Sequence, residues 1–371
     1  MAGLFSTENE FGPFASGGKG GSQRDLADAV FAIDAKQTPL MSMIPKSEGV
    51  INTTYEYPVD KQLAPKDNAT ADAYSAELDA ESKFEKTLDD YSIIQNNVQW
   101  FRRAALIGRL AESASNLAGV PDLRATSIRK QLEAIKRDME VRLCADDVPE
   151  ATSGNFYSGE SSTSPLKTRT LGKYIDSSSA NIPSAFRTPA SSIVTAAEVE
   201  SVANLTEANV QDVLQSIYEE TGVAKELVLL CGVNLKKQFR NFTESTTTDS
   251  SNIAATRIRT LNQDASDKKI ISTVDVFEGD FGTLTLVPSL FLAKNDWTNG
   301  TTGTKDSAYD ANTSRATGYV LDMDMLELRF HQLPSVRSLP DLGSGDRYEI
   351  NAVAGLSVLN PLAFGAFKHT S

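Results

Sequence analysis

The chain has 371 residues, of which 40% are hydrophobic, and its formal net charge is −13 at pH 7. Because single hydrophobic cores stop growing at roughly 250–300 residues, this length predicts one main domain with large extensions, or two domains. The acidic balance repels polyphosphate at long range, which argues against a protein that reads nucleic acid.

No stretch approaches the roughly 18 apolar residues that a membrane span needs. The first residues, "MAGLFSTENEFGPF", lack the basic and apolar regions of a secretory leader. We therefore expect a soluble protein that is made in the cytosol and has no membrane partner.

The N-terminal segment begins with a Gly/Ser-rich stretch over residues 1–24, which we expect to be mobile until something holds it. Leu26, Val30 and Phe31 then predict a short apolar helix, which we call the peg. Thr38-Pro39 is predicted to end that helix. An apolar element this small cannot form a core of its own. We therefore expect it to pack against a surface that lies outside this segment.

Two strands are predicted over residues 50–62 and 90–108. Tyr55 and Tyr57 lie on one side of the first strand, and the second carries Trp100 and Phe101. The sequence between them is polar, Ala-rich and acidic, so we predict a two-stranded ribbon with an exposed tip. Because an isolated two-stranded ribbon is marginally stable in water, another surface must support it.

The clearest helix is predicted over residues 123–146. Its apolar residues are spaced as one stripe, and charged residues, Glu140 among them, fill the rest of the surface. The stripe consists of Ile128, Leu132, Ile135, Met139 and Leu143. This pattern predicts a long amphipathic helix with a charged outer face.

The second half of the chain alternates helices and strands. Residues 205–222 predict a helix that is capped by Thr206, with Asn209 in its third position, and that ends at Gly222. A buried strand, a turn and a helix follow from "KELVLLCGVNLKKQFRNF". A hairpin is predicted over 275–292 and an alternating strand over 319–330, and "DRYEINAVAGLSVLNPLAFGAF" closes the chain with another strand.

Metal and disulfide chemistry is poorly supported. The two histidines, His331 and His369, lie far from each other and from the cysteines, so no zinc site is predicted. Asp322, Asp324 and Glu327 are interpreted as a solvated strand face. Cys144 and Cys231 are interpreted as small buried hydrophobic residues without a disulfide.

Catalytic motifs are also poorly supported. "GGKGGS" lacks the spacing of a phosphate-binding loop, and "DFG" occurs without the other kinase motifs. No G-x-S-x-G sequence occurs that would support a serine triad. We therefore predict that the protein is not an enzyme, with no catalytic residue and no cofactor.

The order of these elements resembles that of the major capsid proteins of tailed bacteriophages, which share the Johnson fold. The resemblance covers roughly residues 22–367. It rests on "DLADAVFAIDAKQTPLMSMIP", "YEYPVDKQ", "NNVQWFRRAALIG", "RKQLEAIKRDMEVRLCAD", "VFEGDFGTLTLVPSLFL", "YVLDMDMLELRF" and "GDRYEINAVAGLSVLNPLAFG". No single motif is decisive, and the order of all of them carries the resemblance.

The resemblance implies an α+β fold with a spine helix at 123–146, peripheral and axial domains, an N-terminal arm and an extended β-loop. The predicted bounds are 1–48 for the N-terminal arm, 49–103 for the extended loop, 104–204 for the peripheral domain, 205–335 for the axial domain and 336–371 for closing strands that return to the peripheral domain. The roles of the 153–170 loop and the 295–318 insertion stay open.

The resemblance also implies hexamers and pentamers that close an icosahedral shell around double-stranded DNA, assembled in the host cytoplasm and found in the virion. The peg would then lie against an adjacent subunit. Scaffolding, portal and decoration proteins are the other partners implied, and a separate scaffolding protein is expected. The residues predicted at subunit interfaces are Leu26, Val30, Phe31, Pro39, Tyr55, Tyr57, Trp100 and Phe101.

Two other classes of function compete with this one. A bacterial nanocompartment shell would use the same fold to enclose a cargo enzyme. A Ser/Thr-rich surface adhesin would account for the six N-x-S/T triplets and the polar loops. The apolar stripes of two helices and the lack of a secretory leader argue against the adhesin.

Overall fold

The structure, a computed structural model, describes residues 37–61, 91–108, 123–144, 166–179, 182–194, 205–241, 274–292, 318–340, 343 and 345–368. The helices in these stretches are α1 (Pro39–Met43), α2 (Leu123–Cys144), α3 (Leu171–Tyr174), α4 (Glu207–Thr221) and α5 (Val233–Asn241). No helix within them is long and apolar enough to cross a membrane.

The strands are β1 (Lys46–Glu48), β2 (Thr54–Val59), β3 (Ser92–Asn97), β4 (Gln99–Gly108), β5 (Ile193–Val194), β6 (Lys225–Cys231), β7 (Val276–Gly279), β8 (Gly282–Pro288), β9 (Gly318–Leu321), β10 (Leu326–Leu339), β11 (Gly345–Val358) and β12 (Gly365–Phe367). The chain divides into two compact units. The smaller unit comprises Met1–Lys36, Arg103–Glu133 and Val336–Ile350, and the larger unit comprises Gln37–Arg102, Ala134–Ser335 and Asn351–Ser371.

The larger unit contains a six-stranded sheet with the order β5-β12-β9-β6-β8-β7. Its central strand β6 pairs in parallel with β8 and antiparallel with β9. Leu227 and Leu229 of β6 are buried and belong to one hydrophobic cluster with Val213 and Leu214 of α4. The predicted buried strand, its following helix and the 275–292 hairpin are all confirmed.

Helix α4 is bounded by local sequence signals. The Thr206 side chain and Asn209 form a reciprocal capping box at its start. Gly222 ends it with a φ of 71°, a left-handed conformation that glycine adopts at little cost. The predicted bounds and caps of this helix are confirmed.

A two-stranded ribbon is formed by β2 and β3, which pair antiparallel from Thr54 opposite Asn97 to Val59 opposite Ser92. The predicted second strand over 90–108 is divided at Val98, whose N–H donates to the carbonyl of Thr53 at 2.9 Å. After that point the chain enters another sheet as β4. The prediction of one continuous strand was therefore wrong, because the pairing partner changes at Val98.

That second sheet has four strands in the order β1-β10-β11-β4. Short β1 pairs in parallel with β10 only from Leu328 to Phe330. Beyond it, residues 331–338 of β10 are all exposed, and they include Pro334. In this part of β10 the side chains on both faces are exposed. No described strand pairs with its edge on the β1 side.

The predicted strand over 319–330 is two strands in two different sheets. β9 ends at Leu321, a short 3-10 turn covers Met323–Met325, and β10 begins at Leu326. The Asp322 side chain accepts a hydrogen bond from the Asp324 N–H at 3.1 Å and so caps the turn. Strand periodicity at this junction was misleading, because the turn preserves the alternation of residue types while redirecting the chain.

Two further predictions concern the helices. Thr38-Pro39 begins helix α1. The peg lies outside the described residues, so its predicted end at Thr38-Pro39 stays a prediction. In α2, Ile135, Met139 and Leu143 are buried as predicted, whereas Ile128 and Leu132 remain partly exposed.

The strand assignments also cross the predicted domain bounds. The limit at residue 335 falls inside β10, and β12, from the predicted closing strands, pairs with β9 and β5 in the six-stranded sheet. Cys144 and Cys231 are both buried and free, as expected.

Candidate assembly surfaces

The base of the ribbon is attached to β11 by two tyrosines. The Tyr55 hydroxyl donates to the Leu356 carbonyl at 2.6 Å, and the Tyr57 hydroxyl donates to the Val358 carbonyl at 2.9 Å. Burial raises the pKa of Tyr57 to about 12 and also raises the pKa of Tyr55. Both hydroxyls therefore stay protonated and remain hydrogen-bond donors at any physiological pH.

A buried asparagine connects the ribbon to a third segment. Asn96 donates from Nδ2 to the Leu356 carbonyl at 2.5 Å and to Thr168 Oγ1 at 3.1 Å, and its Oδ1 accepts from the Arg169 N–H at 2.9 Å. The Tyr174 hydroxyl donates to the same Leu356 carbonyl at 3.0 Å. We call these residues, together with Tyr55 and Tyr57, the ribbon-base network.

Close approach of the ribbon to β11 depends on a glycine. A Cβ on Gly355 would lie 2.7 Å from two atoms of the Tyr55 ring and hydroxyl group, well inside van der Waals contact. Only glycine leaves room for the tyrosine to lie against the backbone of β11. The packing of the ribbon therefore depends both on Tyr55 in the ribbon and on Gly355 in β11.

The predicted interface residues fall into three groups. Tyr55, Tyr57 and Phe101 are buried within the chain, so the structure gives them an intrachain role in place of the predicted subunit contact. Trp100 is 58% exposed, and Pro39 is partly exposed. Leu26, Val30 and Phe31 lie outside the described residues. The sequence analysis missed the network residues Asn96, Thr168 and Tyr174, whose partners within the network are 72 to 260 residues away.

Apolar side chains project from the outer face of the same region. Ile93 of the ribbon is 53% exposed although its neighbour Ile94 is fully buried, as expected for alternate faces of a strand. The Trp100 indole Nε1–H donates to Asn351 Oδ1 at 3.2 Å, and the Arg102 guanidinium lies 5.8 Å from its ring centre. The Trp100 ring is therefore held in place and, like Ile93, is open to contact from outside.

The first described helix is held by a buried carboxylate. Glu140 of α2 accepts the N–H groups of Leu40 and Met41 at 2.9 Å and 2.8 Å, which are N–H groups in the first turn of α1. Burial raises the pKa of Glu140, and the two amide hydrogen bonds oppose that effect. Glu140 was predicted to lie on the charged outer face; it is instead an internal anchor for the chain that enters from the N-terminus.

Asp322 corrects another prediction. It is only 3% exposed, and its Oδ2 lies 2.6 Å from Lys225 Nζ. The pair joins the start of β6 to the end of β9, so Asp322 has a structural role and not that of a solvated strand face. Among the described residues, no group of three His, Cys, Asp or Glu side chains is placed to hold a metal ion.

Comparison with protein families gives one match over almost the entire chain. Residues 7–371 match the family described as SU10 major capsid protein. No curated protein matches the chain.

Several solved structures share the fold. The capsid of a native GTA particle computed with C5 symmetry has a TM-score of 0.57 at 11% identity, covering 97% of this chain and 99% of that chain. The mature capsid asymmetric unit of bacteriophage PhiM1 has a TM-score of 0.52 at 12% identity, covering 100% and 99%. The capsid of cyanophage P-SCSP1u has a TM-score of 0.52 at 10% identity, covering 94% and 93%. The predicted α+β Johnson fold is thereby confirmed.

Proposed function

Because the chain belongs to the SU10 major capsid protein family, we propose that its copies assemble through hexamers and pentamers into an icosahedral shell that encloses double-stranded DNA. The protein is a structural component of a phage-type capsid. The family match and the capsid structures do not favour the nanocompartment shell.

One observation carries the proposal at the level of this chain. The ribbon is fixed at its base by the ribbon-base network, while its outer face exposes apolar side chains such as Ile93. A marginal two-stranded element that is fixed in orientation, and that exposes Ile93 beside the hydrogen-bonded Glu56 and Gln95 on its open face, is suited to contact with a neighbouring copy. The exposed Trp100 belongs to the same proposed contact region.

The remaining roles belong to the same proposal. We assign the protein to the virion, with assembly in the host cytoplasm, and we assign it no catalytic role and no cofactor. Scaffolding, portal and decoration proteins are its proposed partners beside its own copies. Packaged DNA would lie near the shell without sequence-specific contacts, in keeping with a net charge of −13.

The test is electron microscopy of the full chain, expressed alone and together with the phage proteins encoded beside it. Closed shells or hexameric rings under either condition would support the proposal. A monomer of about 40 kDa under both conditions, at high concentration, would overturn it. If shells form, their contents separate the two shell functions: DNA inside indicates a phage capsid, and an enzyme inside indicates a nanocompartment.

A further inference from the structure

Charge is unevenly distributed over the exposed surface. In the described part of the smaller unit, every exposed charged residue is basic, and we call this set the basic surface: Arg103, Arg124, Arg129, Lys130 and Arg337. The acidic residues described there, Glu133, Asp346 and Glu349, are partly or fully buried. In a chain with a net charge of −13, the described exposed charges of this unit are therefore all positive.

The larger unit has the opposite character. Its described exposed charges comprise eleven acidic and five basic residues. Five of the acidic residues lie where α4 ends and where β6 and the β7–β8 turn begin, and we call them the acidic end: Glu219, Glu220, Glu226, Glu278 and Asp280. Of these, Glu220 is paired with Lys61 at 2.9 Å.

The geometry of the acidic end is fixed by packing. Glu226 and Glu278 are both register partners of Thr283, so the two carboxylates project from the same face of the sheet. The rings of Tyr218 and Phe281 lie 5.5 Å apart and join the end of α4 to the β7–β8 turn. Tyr218 and Val223 are exposed among these carboxylates, which gives an apolar patch with a charged rim.

We propose that the basic surface of one copy contacts the acidic end of a neighbouring copy in the shell. This inference rests on the proposed function. A head-to-tail contact in a ring joins two different surfaces of the same chain, so the chain itself must carry both complementary halves. Opposite charges on two surfaces provide that complementarity and also disfavour contacts between like surfaces.

Nucleic acid is the other polyanion that the basic surface could attract. The observations favour a second copy, because the complementary carboxylates are present on the chain and are held in place by β-sheet register and ring packing. A net charge of −13 would also repel a duplex at long range.

The experiment uses charge reversal in the full chain. Lys130→Glu with Arg337→Glu reverses part of the basic surface, and Glu226→Lys with Asp280→Lys reverses part of the acidic end. The four changes together restore opposite charges and keep the net charge at −13, since −4 and +4 cancel. The matched control is Lys46→Glu with Lys237→Glu, which alters two exposed lysines of the larger unit by the same −4.

Shell formation is measured by size-exclusion chromatography and electron microscopy over a range of protein concentrations. We expect each double reversal to raise the concentration needed for half-assembly by about tenfold or more, because like charges then face each other. The fourfold variant should recover most of the loss, and the control should assemble normally. Raising NaCl from about 0.05 M to about 0.5 M should weaken wild-type assembly and narrow these differences.

Several outcomes would overturn the inference while leaving the proposed function intact. Normal assembly of both double variants is one, and failure of the fourfold variant to recover, with circular dichroism showing folded protein, is another. A third is binding of a 30-base-pair duplex by wild-type protein that is lost in Lys130→Glu/Arg337→Glu while shells still form. That result would assign the basic surface to nucleic acid. Absence of wild-type shells would instead count against the proposed function.

Discussion

The six-stranded sheet and the base of the ribbon are both buried, but different forces hold them. The sheet packs leucines, valines and aromatic rings against α4 and α5, with Phe239 fully buried between Phe277 and Phe367 at ring distances of 6.2 Å. The ribbon base instead directs tyrosine, asparagine and threonine side chains at backbone groups of β11. Apolar burial is nondirectional and supplies most of the stability, whereas hydrogen bonds to fixed carbonyls specify an orientation.

The largest effects on stability are expected where a large buried side chain is truncated, and the first test of this kind concerns the sheet. Leu229→Ala removes a fully buried side chain from the central strand, so we expect the free energy of unfolding to fall by about 2–5 kcal/mol. Urea unfolding followed by circular dichroism measures it. Val276→Ala, at an exposed position on the edge strand β7, is the control and should change little. Equal effects of the two substitutions would contradict the assignment of the core.

The next effect tests the ribbon base. Asn96→Ala leaves the buried Arg169 N–H without its acceptor and removes two donors, so a loss of about 1–3 kcal/mol is expected. Assembly should fall further than stability does, because the ribbon loses its fixed orientation. Gln95→Ala, one residue away on the exposed face, should leave the free energy of unfolding close to that of the wild type. Normal shells from a destabilised Asn96→Ala protein would show that the network supports folding alone.

Glu140 gives a pH-dependent test of the anchor on α1. Glu140→Gln places an amide N–H₂ where two backbone N–H groups need acceptors, and we expect a loss of about 1–2 kcal/mol. Burial raises the pKa of Glu140 in the folded state, so the folded protein binds this proton more tightly than the unfolded chain. The contribution of Glu140 is fully present below its ordinary pKa of 4.5 and decreases as pH rises through the raised pKa.

The difference in unfolding free energy between wild type and Glu140→Gln should therefore be largest at low pH and shrink with rising pH. Urea unfolding at a series of pH values measures it. A difference that grows with pH would mean that the two amide hydrogen bonds outweigh burial.

The smallest effect on stability is expected for Trp100→Ala, which is compared with the same substitution at its neighbour Phe101. Trp100→Ala removes an exposed ring, so its thermal stability should stay close to that of the wild type while assembly is impaired. Phe101→Ala removes a buried ring of the same strand and should cost about 3–5 kcal/mol. Normal shells from Trp100→Ala would remove Trp100 from the proposed subunit contact.

Sequence reasoning succeeded where the determinants are local. Thr206 and Asn209 lie three residues apart and specify the start of α4 by themselves, and the continuous apolar run in "KELVLLC" predicts a buried strand. It failed where a side chain is defined by a distant partner. Glu140 bonds to amides about 100 residues away, and Asp322 pairs with Lys225 across 97 residues, so each had the appearance of an ordinary surface acid.

The same distinction accounts for the interface residues. The alternation of Tyr55 and Tyr57 identifies one face of a strand correctly, but alternation does not say whether that face meets its own chain or another one. Only Leu356 and Val358, some 300 residues later, decide the matter. The prediction of a ribbon was therefore sound, but the face that carries Tyr55 and Tyr57 packs against its own chain.

Pro334, in the exposed part of β10, affects the chain before it assembles. The N–H of Leu328 points toward β1, where it donates to the Pro45 carbonyl at 2.9 Å, and alternate residues of a regular strand direct their N–H groups to the same edge. The N–H groups that face this edge would therefore belong to residues 328, 330, 332 and 334. Residue 334 is a proline, which has no N–H group. This edge, which has no partner among the described strands beyond β1, thus lacks a donor at its middle. That gap hinders fibril-like stacking of newly made chains and helps to keep them available for ordered growth.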